Sequence, residues 1–137
     1  MAELPEEKVR QNLIRLMTGK LGFPARSLVV EKAIRQFPHL SQTPEVPDCR
    51  IDIASFVKGI HPDHELFPLI VIECKAVSLT PRVLRQVAGY NYYLQAPFVA
   101  VANQSGIRTG WYDPGKNEYQ YIETLPSYSE LLSSLPL

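Results

Sequence analysis

The period of the apolar positions changes several times along the chain, and each change marks an element. Val9, Leu13, Leu16 and Met17 recur at helical spacing and predict a helix over Leu4 to Lys20. Pro5 suits its first turn, Glu6 and Glu7 suit its positive end, and Gly19 and Gly22 end it. Glu6 precedes Val9 by three and Leu13 by seven, so it is expected on the inward stripe, with Glu7 turned from it by about 100°. Ser27 to Arg35 reads as a strand, and the proline-rich Gln36 to Asp48 as a loop. Arg50 to Val57 alternates: Ile51, Ile53, Ser55 and Val57 are expected on one face, Arg50, Asp52, Ala54 and Phe56 on the other.

Pro68 to Ala76, PLIVIECKA, carries the uninterrupted run Leu69-Ile70-Val71-Ile72, the pattern of a strand buried on both faces. The polar segment before it, Lys58 to Phe67, is too short for a crossover helix, so the two strands it joins are expected to be antiparallel neighbours. Helical spacing returns over Ser78 to Leu94 through Val83, Val87, Tyr90 and Leu94. Pro97 to Asn103 reads as a buried strand reached by a right-handed parallel crossover. Ile107 to Tyr112 and Glu118 to Glu123 read as a hairpin around Asp113-Pro114-Gly115, and Ser127 to Leu135 as a short closing helix. This order predicts an α/β fold over 1–137, one domain in three layers, with helices on both faces of a central mixed sheet.

Composition supports a globular domain: 137 residues, 45% apolar, 20% charged. No apolar run is long enough to span a membrane, and the acidic N-terminus lacks the basic start and apolar core of a signal peptide. A cytoplasmic location with reduced thiols at Cys49 and Cys74 is expected. Net charge is zero, yet Cys74 to Tyr112 holds four bases (Lys75, Arg82, Arg85, Arg108) and no acid. That stretch is either a basic surface for a polyanion or a solvated face.

Three charges sit where the pattern calls for apolar residues. Asp52 interrupts a strand, and Glu73 and Lys75 end the most apolar one. By strand parity the three share a sheet face, with Cys49 and Cys74 opposite. Two carboxylates from adjacent strands can hold a Mg²⁺-type ion, which prefers oxygen ligands and keeps several waters. The Cys74 carbonyl can add an oxygen. Lys75 can orient the attacking water and counter phosphate charge, Glu6 can join through a metal-bound water, and Gln86 and Tyr90 can contact substrate or support the site. The bland reading pairs Glu73 with Lys75 structurally and makes Gln86 and Tyr90 a helix–sheet contact. Zinc at His61 and His64 lacks partners, because both cysteines are expected on the sheet, and Cys74 has no nearby base in sequence to make it a nucleophile.

Asp52 followed by Glu73-Cys74-Lys75 resembles the PD-(D/E)xK nuclease signature. PEEKVRQ (Pro5 to Gln11), LGFP (Leu21 to Pro24), RIDI (Arg50 to Ile53), IECKA (Ile72 to Ala76) and Gln86 with Tyr90-Asn91 together resemble the N-terminal nuclease domain of type I restriction enzyme R subunits, over roughly positions 5 to 112. The resemblance implies a restriction-endonuclease-like fold and Mg²⁺-dependent DNA cleavage leaving a 5′-phosphate, with Mn²⁺ able to substitute. It implies Asp52, Glu73 and Lys75 as the catalytic core, Gln86 and Tyr90 as its QxxxY element, and Glu6, ahead of Glu7, as the helix acid. Ile51 stands where the signature has proline, and this length cannot hold the translocase that follows in the restriction subunit. DNA is the expected partner, with a homodimer or a separate translocase or targeting subunit. The competing expectation is a nuclease-fold DNA-binding or regulatory module with weak catalysis.

Overall fold

The computed structural model describes residues 4–135. Helix α1 (Pro5–Thr18) leads to strands β1 (Leu28–Ala33), β2 (Arg50–Lys58) and β3 (Leu66–Cys74). Helix α2 (Pro81–Leu94), strand β4 (Phe98–Ala102), the hairpin β5 (Ile107–Asp113) and β6 (Glu118–Ile122), and helix α3 (Tyr128–Ser133) follow. The six strands lie in one sheet in chain order. Only β3 and β4, joined through α2, run parallel; every other neighbouring pair is antiparallel. No helix among the described residues is long and apolar enough to cross a membrane.

Two cores flank the sheet and make it the middle of three layers, the α/β/α restriction-endonuclease-like architecture expected from the sequence. On one face Val9, Leu13 and Met17 of α1 and Leu131 of α3 pack with Ile53, Ile70 and Ile72. On the other, Val87 and Leu94 of α2 pack with Val71, Val99 and Val101. Leu69 to Ile72 have no exposed surface; burial of each such side chain contributes roughly 1.5–3 kcal/mol. Leu16, expected on the α1 stripe, is exposed, because Val9, Leu13 and Met17 at four-residue steps already fill the line of contact.

Strand parity departs from expectation in two places. The β2–β3 register shifts between Ser55 and Phe56, where Ile70 and Pro68 are the partners, so Leu69 is the extra residue of a bulge. The bulge lets Leu69 and Ile70 enter the same core and accommodates Pro68, which cannot donate to a ladder. The second break is at Asp52. Ile53 joins the α1-side core, but Ile51 joins the α2-side core, so the strand rotates between them and the single expected face is not kept. Cys49, just before the strand, consequently packs on the α2 side, while Cys74 lies in the α1-side core; the two thiols do not share a face.

Thr80 caps α2 by accepting the Val83 N–H, and Gln95 ends the helix in the left-handed region with φ +58°. The buried Asn91 fixes the turn that follows. Its Nδ2 donates to the Ala96 carbonyl at 2.8 Å and to the Tyr119 hydroxyl at 3.1 Å, and its Oδ1 accepts the Ala96 N–H at 2.9 Å. The replacement Asn91→Leu leaves both Ala96 backbone groups orphaned in a buried turn. It is expected to cost about 2–4 kcal/mol in denaturant unfolding, whereas an equal change at the exposed Tyr92 is expected to cost under about 0.5 kcal/mol.

Candidate functional site at the end of the central strands

The site forms where β2 and β3 part. The last recorded β2–β3 pair at this end is Ile53 with Ile72. Lys75 N–H donates across to the Ala102 carbonyl of β4 at 2.8 Å. Alternation along the strand therefore turns the backbone groups of Cys74 towards β2. There the Cys74 N–H meets a side chain instead of a backbone carbonyl: it donates to Asp52 Oδ2 at 2.7 Å. In return the Asp52 N–H donates to Glu73 Oε1 at 3.3 Å. Each carboxylate accepts from a backbone N–H of the other strand, and the two acids are locked side by side.

Both acids keep one oxygen without a hydrogen bond among the described residues, Asp52 Oδ1 and Glu73 Oε2. Lys75 Nζ lies 4.0 Å from Glu73 Oε2 and donates to Gln86 Oε1 at 3.3 Å, so α2 holds the ammonium beside the acids. The Tyr90 phenol, one helical turn on, neighbours Gln86 and the Cys49 thiol, and burial raises its pKa. Arg82 and Arg85 are exposed on the first turns of the same helix, without an ion pair among the described residues. Asp52, Glu73, Lys75, Gln86 and Tyr90 are thus brought together.

Glu6 makes no hydrogen bond or ion pair with them among the described residues. It is exposed at the start of α1, where the core-facing line begins only at Val9. Glu7 is the half-buried acid of that turn and lies 3.6 Å from Arg10. Arg10, only 17% exposed, also pairs with Glu31 Oε1 of β1 at 2.8 Å. The sequence reading singles out neither Arg10 nor Glu31. The available signal is Glu31 itself, an acid inside the apolar run from Leu28 to Ile34, the same kind of break that marks Asp52.

Charge at the site is undercompensated. Burial, and then the neighbouring Asp52 carboxylate, push Glu73 up to about 7, and Lys75 offsets this only in part. Burial also raises Asp52, against the lowering effects of the Cys74 N–H, Lys75 and Arg10. Such a pair favours either a proton or a cation. The donors are hard oxygens, which suit a magnesium-type ion. Among the described residues no group of three or more His, Cys, Asp or Glu side chains is arranged around a common metal position. A two-carboxylate site completed by a backbone carbonyl and waters fits that donor set, and the Cys74 carbonyl faces the β2 side beside Asp52. The Cys74 thiol itself points into the opposite core, where burial pushes it up to about 12, so it holds no thiolate at neutral pH.

The family model described as type I restriction enzyme R protein N terminus (HSDR_N) matches residues 5–126. No curated protein and no solved structure gives a significant match.

The raised Glu73 sets a sign for pH dependence. Its folded value of about 7 lies above the ordinary 4.5, so the folded state binds the extra proton between them. The resulting stability is present in full below the ordinary value and is lost as pH rises through about 7. In metal-free buffer, Glu73→Gln is expected to be more stable than the wild type at about pH 8.5, by up to roughly 3 kcal/mol and with a higher melting temperature, and to have little advantage at about pH 5. Parallel pH profiles of the two melting temperatures would contradict a strained Glu73.

Proposed function

The chain belongs to the family of type I restriction enzyme R protein N termini, and on that premise we propose that it is a metal-dependent DNA endonuclease domain that hydrolyses phosphodiester bonds. The family is nuclease-related and tied to restriction. The observation that carries the finer reading is the interrupted ladder, which fixes Asp52 and Glu73 side by side with one oxygen each left for a ligand.

A Mg²⁺ ion, or Mn²⁺ in its place, would be held by Asp52, Glu73 and the Cys74 backbone carbonyl and would neutralise charge on the phosphate and lower the pKa of a bound water. The chain's own groups supply the rest. Lys75 sits at the acids with its ammonium aimed by Gln86, suited to orient the attacking water and to meet the charge that develops on the phosphate. Gln86 and Tyr90 support that lysine and offer hydrogen bonds to the substrate backbone. Arg82 and Arg85 lie on the exposed side of the same helix, available to position phosphates without reading sequence. Glu6, on the exposed first turn, would reach the site only through water. Cutting both strands of a duplex usually takes two such sites, which a homodimer would supply, while a separate translocase or targeting subunit would direct the site to its DNA.

With supercoiled DNA and Mg²⁺ the protein is expected to nick, and Asp52→Asn, Glu73→Gln and Lys75→Ala are each expected to lower the rate by at least about 100-fold. Chelation should abolish nicking and Mn²⁺ restore it. In the absence of DNA, Mg²⁺ should raise the melting temperature of the wild type and not of Asp52→Asn, since only a ligand bound to the folded state stabilises it. Retained DNA binding with no cleavage of supercoiled, linear or branched substrates would favour the binding or regulatory module instead.

A further inference from the structure

We propose that Arg10 is a positioning residue: by clamping Glu31 in a left-handed backbone conformation it keeps the sheet open at Asp52, so that the Asp52 carboxylate can occupy the place of a ladder carbonyl at Cys74. Its consequence for catalysis rests on the nuclease reading above; the structural claim stands without it.

Strand β1 pairs Val30 with Ile53 and Lys32 with Ile51, but leaves Glu31 and Asp52 unpaired between them. Glu31 has φ +50°. A non-glycine residue in that region is uncommon and persists only when its surroundings fix it. Here the fixing contact is a 2.8 Å bond from Arg10 Nη1 to Glu31 Oε1, with Arg10 Nη2 steadied 3.6 Å from Glu7 Oε1. Arg10 is one residue from the buried Val9 and lies on a helix anchored through Val9, Leu13 and Met17, so the clamp is referenced to the core. The rotation at Glu31 lies across from the rotation that sends Ile51 and Ile53 into opposite cores. That same position is where β2 stops pairing with β3 and Asp52 takes the Cys74 N–H. One cation from the first helix therefore stabilises a β1 distortion that β2 follows and the site uses. With the clamp gone, Glu31 is free to leave the left-handed region and β2 to lose the rotation that follows it, so the Asp52 carboxylate withdraws and the Cys74 N–H is left without a partner.

The direct readout is hydrogen exchange of the Cys74 amide, normalised to the Val71 and Ile72 amides of the same strand. Arg10→Ala is expected to raise the normalised Cys74 exchange rate by about tenfold, because a local opening replaces a charge-assisted bond. The charge swap of Arg10→Glu with Glu31→Arg should recover most of the protection. Glu31→Gly removes the same ion pair, yet glycine takes positive φ without cost, so this variant should keep Cys74 protected. It should keep it also when combined with Arg10→Ala. If Arg10→Ala leaves the normalised exchange unchanged, or if Glu31→Gly exposes Cys74 as Arg10→Ala does, the clamp is wrong. Nicking and DNA binding measured on the same variants separate the two readings. Where the exchange pattern holds but the wild type does not cleave, the nuclease reading fails and the clamp stands. Where the wild type cleaves and the clamp holds, Arg10→Ala should lose about tenfold or more in cleavage with DNA binding retained.

Discussion

The hydrogen bond from the Cys74 N–H to the Asp52 carboxylate is the contact on which the rest of the site depends. In an ordinary antiparallel ladder that donor would meet a backbone carbonyl of β2, and Asp52 would project from a sheet face towards whatever covered it. By taking the donor itself, Asp52 stays in the gap between the strands. Its backbone N–H is then free to reach Glu73, and the two acids arrive together without either needing a flexible linker. The exchange is nearly neutral in hydrogen-bond count, since a backbone acceptor is replaced by a charged one. What it changes is geometry: a closed ladder becomes a cleft lined with oxygen, at the end of a strand buried from Phe67 to Cys74.

Electrostatics leave the cleft short of positive charge. Burial, and after it the repulsion of the neighbouring Asp52 carboxylate, carries Glu73 up to about 7. A structural ion pair would have settled this with a short contact to Lys75, but the ammonium stands 4.0 Å from Glu73 and turns to Gln86. A lysine held near the acids, yet turned to Gln86, leaves their charge only partly offset. The bland reading of Glu73 and Lys75 as mutual partners accounts for their proximity but not for the geometry.

Much of the fold was legible because it follows from periodicity. The run Leu69 to Ile72, the helical spacing of α2 and the short Lys58 to Phe67 segment were enough to order the sheet and to set β3 against an antiparallel β2 and a parallel β4. The grouping of Asp52, Glu73, Lys75, Gln86 and Tyr90 was legible for a related reason: charges that break an apolar pattern carry more information than those that do not. What parity missed were its own interruptions. It takes every strand as unbroken, so it could not foresee the extra residue at Leu69 or the rotation at Asp52, and it therefore set Cys49 on the wrong face. Helical spacing likewise aligned Glu6 with Val9, but Glu6 is exposed and the half-buried acid of that turn is Glu7.

The two interruptions belong to one design. β3 is both the strand with the greatest apolar burial and the strand that must end in charge, so the sheet has to change character within a few residues. At its first half the Leu69 bulge adds a side chain to the α1-side core. At its second half the ladder to β2 opens, and apolar packing yields to Asp52, Glu73 and Lys75. Rigid burial before the opening is what allows the opening to be small: Ile70, Val71 and Ile72 are fixed on both faces, so the backbone of Cys74 is carried to the cleft with little freedom left to lose. A site built on loops would have to order itself on binding, whereas here the strand has borne that cost in folding.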